Sequence, residues 1–271
     1  MTPHTTAHYD AFERMLRQKN HAENTILAYL FAVRDYHSRY PVLNKQNLLA
    51  YKAELLEAFK PRTVNQRIQA INKYLTYIGK EDLHLQSIKI QEVSFVENVI
   101  SNEEYELMKS RLREEPDRKM YFAVRYMAGT GARVSELIQF KVEDVRAGYI
   151  DIYSKGGKIR RLYIPPQLKE ETLQWLDRES GYLFLNRNGQ RITTRGIANR
   201  LAHYAHKYGI NPTLVHPHAF RHRFAKNFLE KHNDLSLLAD LLGHENIATT
   251  RIYLRKSSLE QRALINQIVD W

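Results

Sequence analysis

Apolar residues recur at helical spacing along almost the whole chain, and that periodicity limits the fold more than any other feature. HYDAFERMLRQKN, ENTILAYLFAVRDYHSRY, KQNLLAYKAELLEAF and PRTVNQRIQAINKYLTYIG fill most of the first eighty residues, and each carries an apolar stripe of helical period. Pro61 suits the first turn of the fourth segment and Gly79 its end. Short helices so closely spaced predict a small four-helix bundle over residues 1–80. EDLHLQSIKIQEVSFVEN, residues 81–98, loses that period, and it is expected to be an extended linker or a short strand.

Residues 99–271 mix elements. Ser101 followed by Glu104 is a capping box that opens a helix. RKMYFAVRYMAGTG reads as a helix stopped by glycines, and VSELIQF as a short one. YIDIYSKGGKIRRLYIPP reads as two strands around Gly156-Gly157. Helical spacing returns in PQLKEETLQWLDRE, TTRGIANRLAHYAHKYG, HPHAFRHRFAKNFLEKH, DLSLLADLL and SSLEQRALINQIV. The predicted class is mostly α with a small β-sheet.

Charge narrows the partner. Lys and Arg total 41 against 30 acidic residues, a net charge of +11. Residues 1–98 hold 13 basic and 10 acidic side chains and the remainder 28 and 20, so both parts suit a polyanion such as DNA. No basic amphipathic anchor or long apolar span points to a membrane. The chain has no cysteine, which removes disulfides, a thiolate nucleophile and Cys-ligated zinc. MTPHTTAHYD lacks a basic-then-apolar signal, so a cytoplasmic protein is expected.

Several polar residues have chemical potential. In GTGARVSEL, Arg133 and Glu136 share a helix face at three-residue spacing. That is either a surface ion pair or a guanidinium aimed at phosphate and braced by a carboxylate. Lys155 adjoins the Gly-Gly turn, and Lys158, Arg160 and Arg161 make the hairpin basic enough for phosphate contact. In HPHAFRHRFAKNF, His218 lies three residues before Arg221 and four before His222. The latter is also a zinc spacing, but Arg221 and Arg223 favour anions there. In LLGHENIATTRIY, Gly243 suits a left-handed helix end that presents His244, and Tyr253 follows nine residues later.

Phosphoryl transfer needs a nucleophile, donors for the nonbridging oxygens and an acid for the leaving oxygen. A tyrosine of ordinary pKa is only ~0.1% ionised at neutral pH, so it needs cationic neighbours or a base. Arginines clamp phosphate with planar, charge-assisted hydrogen bonds, and histidine and lysine can move protons.

The ordered set Arg133, Lys155, His218-x-x-Arg221, Gly243-His244 and Tyr253 resembles the tyrosine recombinases, or phage integrase family. GTGARVSEL looks like their first arginine box. HPHAFRHRFA and LLGHENIATTRIY look like the second, and the gap from His244 to Tyr253 matches the Xer-like members. Ala132 stands where a bulkier apolar residue is common. ENTILAYL and PRTVNQRIQAINKYL resemble the helical, SAM-like core-binding domain, so the resemblance spans almost the whole chain.

That resemblance implies a core-binding domain, a linker and an α+β catalytic domain, and no arm-binding domain. It implies Tyr253 as nucleophile, Arg133 and Arg221 as the catalytic arginines, Lys155 as general acid, and His218 and His244 as the histidines of the site. Glu136 would support Arg133. Tyr253 would form a 3′-phosphotyrosyl bond, and the partner strand's 5′ hydroxyl would resolve it without ATP, metal or other cofactor. Arg62, Thr63, Asn65, Arg67, Lys158 and Arg160 are candidate DNA contacts. A C-shaped clamp on double-stranded DNA, a tetrameric synapse, and a C-terminal helix docked on a neighbouring protomer are expected. So is a role in moving or resolving a mobile element. A catalytically silent DNA-binding regulator and a type IB topoisomerase-like relaxing enzyme are the alternatives.

Overall fold

The computed structural model describes residues 6–90, 100–153, 159–244, 246–254, 262 and 265–269. The chain divides into two compact units, Met1–Glu92 and Val93–Trp271. No helix among the described residues is long and apolar enough to cross a membrane.

The first unit is built on helices α1 (Thr6–Gln18), α2 (Glu23–Arg39), α3 (Lys45–Ala58) and α4 (Pro61–Tyr77). Their apolar stripes meet in one core that includes Phe12, Leu16, Val33, Tyr36, Leu48, Tyr51, Ile68 and Tyr74. Asn44 caps α3 by accepting from the Asn47 amide at 2.8 Å, and Pro61 occupies the first turn of α4.

Residues 81–88, the start of the expected linker, pack against this bundle. Glu81–Leu83 form a 3₁₀ turn and Leu85 is buried in the core. Asn72 brackets Leu85, donating to its carbonyl and accepting from its amide, both at 2.9 Å. Asn65 brackets Ile88 in the same way, at 2.9 and 2.7 Å. Side-chain amides replace a β-ladder here, satisfying backbone groups that would otherwise need water. Residues 91–99 lie outside the described residues.

The second unit opens with α5 (Asn102–Glu114), headed by the expected Ser101–Glu104 capping box. α6 (Lys119–Thr130) is buried on nearly every side and packs against α5, α9 (Pro166–Trp175), α10 (Thr194–Lys207) and α11 (Pro217–His232). Gly129 lies within α6, and it is Gly131, at φ 67°, that ends it. A Cβ at Gly131 would sit 2.6 Å from the Phe224 ring of α11, so glycine is required by conformation and by the close approach. α7 (Val134–Leu137) and α8 (Val142–Ala147) lead into strands β1 (Tyr149–Tyr153) and β2 (Ile159–Tyr163). The strands pair antiparallel, with Ile152 opposite Arg160. Residues 154–158, including the expected Gly-Gly turn, Lys155 and Lys158, lie outside the described residues. α12 (Leu235–Leu242) and α13 (Ile247–Arg251) complete the described helices. Most of the predicted C-terminal helix SSLEQRALINQIV also lies outside them.

Candidate active site

α12 ends where the site begins. Gly243 takes φ 63° after Leu242, turning the chain so that His244 leaves the helix end. Three guanidiniums converge on this turn from separate elements. Arg221, on the inner face of α11 and only 3% exposed, donates through Nη1 to the Gly131 carbonyl and through Nη2 to the Leu242 carbonyl, each at 2.7 Å. Arg133, the residue before α7, donates through Nη1 to Glu136 Oε1 at 2.9 Å and makes a long contact, 3.4 Å, from Nη2 to the Gly243 carbonyl. Its backbone amide also donates to Glu136 Oε2 at 2.7 Å. Arg160 reaches in from β2, donating to Glu136 Oε2 at 2.5 Å and to the Leu242 carbonyl.

Glu136 therefore braces two arginines. The carbonyls of two helix ends, Gly131 and Leu242–Gly243, absorb further guanidinium donors, as the negative end of a helix dipole favours. Arg221 is still pushed down to about 10, by burial first and then by Arg133, which leaves it charged at neutral pH. Arg133 keeps a side-chain exposure of 36%, so part of its donor fork faces solvent, where an anion can meet it.

The two imidazoles differ in role. His244 Nε2 lies 3.0 Å from Arg221 Nη2, and its Nδ1 lies 2.8 Å from the fully buried Thr250 hydroxyl. A guanidinium has only donors, so Nε2 accepts and the ring proton sits on Nδ1, donated to Thr250. Burial and then Arg221, Arg133 and Arg160 push His244 down to about 4, consistent with a neutral ring. His218, in the first turn of α11, is also lowered, by burial first and then by Arg221 and Arg133.

Tyr253 sits on the 3₁₀ turn Ile252–Leu254 that continues α13. It is 8% exposed and belongs to a small core with Ala225, Leu229, Leu238 and Leu242. Its ring stacks on His244, with centroids 6.1 Å apart and 15° between planes, and meets the edge of His222 at 5.0 Å. The tyrosine thus lies beside Arg221 and His244 of its own chain.

The structure brings Arg133, Glu136, Arg221, His244 and Tyr253 into one site. Three candidate DNA contacts have partners within their own unit. Arg160 is 8% exposed and spent on Glu136 and Leu242, because strand alternation turns it to the same buried side as Leu162. Asn65 is used by the Ile88 backbone. Arg67 pairs with Asp35 at 2.5 Å and lies over the Phe59 ring at 4.4 Å, held inside the first unit. Arg62 remains exposed and Thr63 partly so. Thr250 and His222 were not singled out as site residues, and no local pattern separates Thr250 from its neighbour Thr249.

Residues 97–260 match the model of the phage integrase family. Tyrosine recombinase XerA of Thermococcus kodakarensis is 31% identical over 258 residues, covering 91% of this chain and 89% of that protein. XerA of Pyrococcus furiosus is 28% identical over 281 residues, covering 96% and 95%. Among solved structures, the Tn1549 transposon integrase in complex with transposon right end DNA superposes with a TM-score of 0.71 at 17% identity, covering 96% of this chain and 98% of that one. The XerH recombinase bound to its difH substrate gives 0.70 at 19%, covering 97% and 85%; both share this fold. The chain belongs to the phage integrase family and is a tyrosine recombinase, an enzyme that transfers DNA strands.

Proposed function

We propose that Tyr253 is the nucleophile of a site-specific recombination reaction on double-stranded DNA. The observation that carries this is the convergence of Tyr253, His244, Arg221 and Arg133 within one chain. The Tyr253 oxygen attacks the scissile phosphorus, the bond to the 5′ oxygen breaks, and a 3′-phosphotyrosyl bond forms. Arg133 and Arg221 hold the nonbridging oxygens, each well-placed donor contributing about 3 kcal/mol to the developing charge. His218 handles the tyrosine proton, and Lys155 protonates the leaving 5′ oxygen. Attack by the partner's 5′ hydroxyl then reverses the chemistry on the exchanged strand. Because the phosphoester bond energy is kept in the phosphotyrosine, the cycle needs no nucleotide hydrolysis.

The first unit serves as the core-binding domain, with Arg62 and Thr63 at the exposed start of α4 as its phosphate or base contacts. Four protomers synapse two sites, with the C-terminal segment docking on a neighbour and closing a ring. The biological setting is integration, excision or resolution of a mobile element or replicon, carried out in the cytoplasm on nucleoid DNA.

A nicked duplex carrying the recognition site traps the covalent intermediate, because the short strand diffuses away. The wild-type chain should accumulate a protein–DNA adduct, and Tyr253→Phe should bind the same duplex and form none. An adduct at normal yield from that variant would refute the assignment. Strand exchange between two duplexes separates recombination from relaxation of supercoils by a topoisomerase-like enzyme.

A further inference from the structure

We infer that Arg160 is a positioning residue for strand cleavage, joining the Glu136–Arg133 side of the site to the helix end that presents His244. The inference rests on the recombinase reading above and adds to it a residue outside the set that touches the reacting phosphate.

One guanidinium makes both connections. Nη2 ion-pairs with Glu136 Oε2 at 2.5 Å, the same oxygen that accepts the Arg133 amide at 2.7 Å. Nη1 donates to the Leu242 carbonyl, which Arg221 Nη2 also holds at 2.7 Å. The Gly243 Cα passes so close that a Cβ there would lie 2.8 Å from both Cδ and Nη1 of Arg160. Three chain segments far apart in sequence, at residues 133–136, 160 and 242–244, thus meet at this side chain. Through them it fixes the direction of Arg133 and the height of His244.

The shared acceptors point to a positioning role beside a packing role. Arg160 is buried, and its Nε has no hydrogen-bond partner among the described residues. Removing one partner of a buried ion pair usually destabilises a fold, so a change in stability alone does not separate the two roles. Loss of Arg160 would still leave Glu136 paired with Arg133, and the Leu242 carbonyl bonded to Arg221. What it removes is the rigid link between them, and active-site donors act only when held in place before the reaction. Lysine cannot replace it fully, since one ammonium lacks the planar fork that spans both acceptors.

The test uses full-length protein and a nicked duplex whose sequence the wild-type chain has itself selected from a random library. Arg160→Met should fold with a lowered unfolding midpoint, bind the duplex with unchanged affinity, and form the adduct about 100-fold more slowly at saturating DNA. Arg160→Lys should recover about a tenth of the wild-type rate, and it covers the case in which the methionine variant does not fold. Combining Arg160→Met with Glu136→Gln should slow cleavage by much less than the product of the single effects, because both act through the same carboxylate. Cleavage by a folded Arg160 variant within threefold of wild type, or a loss confined to DNA affinity, would overturn the inference. Wild-type protein that bound the duplex and formed no adduct would instead overturn the recombinase reading, and this inference with it.

Discussion

Replacing Gly243 by alanine tests the geometry of the helix end directly. The residue sits at φ 63°, a left-handed conformation that costs a residue with a Cβ about 1–2 kcal/mol. The added Cβ would also lie 2.8 Å from Cδ and Nη1 of Arg160 and 3.3 Å from Nε. That side chain cannot retreat without releasing Glu136 or the Leu242 carbonyl, and losing one charge-assisted hydrogen bond costs about 1.5–3 kcal/mol. Gly243→Ala should therefore destabilise the second unit by about 2.5–5 kcal/mol. Gly209→Ala is the control, since Gly209 has φ 70° and nothing within 4 Å of its added Cβ, leaving only the conformational cost of about 1–2 kcal/mol. Trp175 packs against the core of the second unit, so urea unfolding followed by its fluorescence reports on that unit. If the two variants lost equal stability, the close packing of Arg160 on Gly243 would be wrong.

Further consequences follow from the same contacts. Thr250→Val removes the acceptor that holds His244 in its Nδ1-protonated form; cleavage in single-turnover assays should slow about tenfold or more, and an unchanged rate would dismiss the tautomer argument. His222 is pushed down to about 4, by burial first and then by His218, His216 and Arg221. The unfolded chain takes up a proton near pH 6.5 that the folded one refuses, so stability is full above that pH and falls as pH drops toward 4. His222→Phe should make the loss between pH 7 and pH 5 shallower in urea titrations, and an unaltered slope would count against it. Asn65→Ala should cost the first unit about 1–3 kcal/mol by orphaning the Ile88 backbone groups, read by hydrogen exchange at those amides. A loss of DNA affinity at unchanged stability would instead make Asn65 a DNA reader.

How far the fold could be read ahead of the structure depended on the range of the interaction. The four helices of the first unit, the Ser101–Glu104 box and the Gly243 turn are local patterns, set by spacing and backbone preference within a few residues. They were visible in the chain itself. The candidate residues Arg133, Arg221, His244 and Tyr253 stood out because their order and gaps resemble a family, not because any of them is unusual alone. What escaped was long-range. Arg160 lies in a basic stretch and looks like a surface residue until strand alternation and Glu136, 24 residues away, turn it inward. Asn65 and Arg67 look like polar side chains at the start of a helix facing DNA. Only the return of residues 85–88 and the presence of Asp35 reveal their partners within the fold. Thr250 is identified by a single contact with His244 that follows from the turn between them.

The three guanidiniums around the Leu242–Gly243 turn carry one further implication. Arg133, Arg160 and Arg221 meet a single carboxylate, Glu136, so this inner set holds two net positive charges. An intact DNA phosphodiester brings one negative charge and leaves the cluster in excess. As a phenolate closes on phosphorus, a second negative charge enters the same volume, and the account balances only there. A site with this valence is under-neutralised by bound substrate and matched by the species at the top of the barrier, so it favours the reaction over mere occupancy.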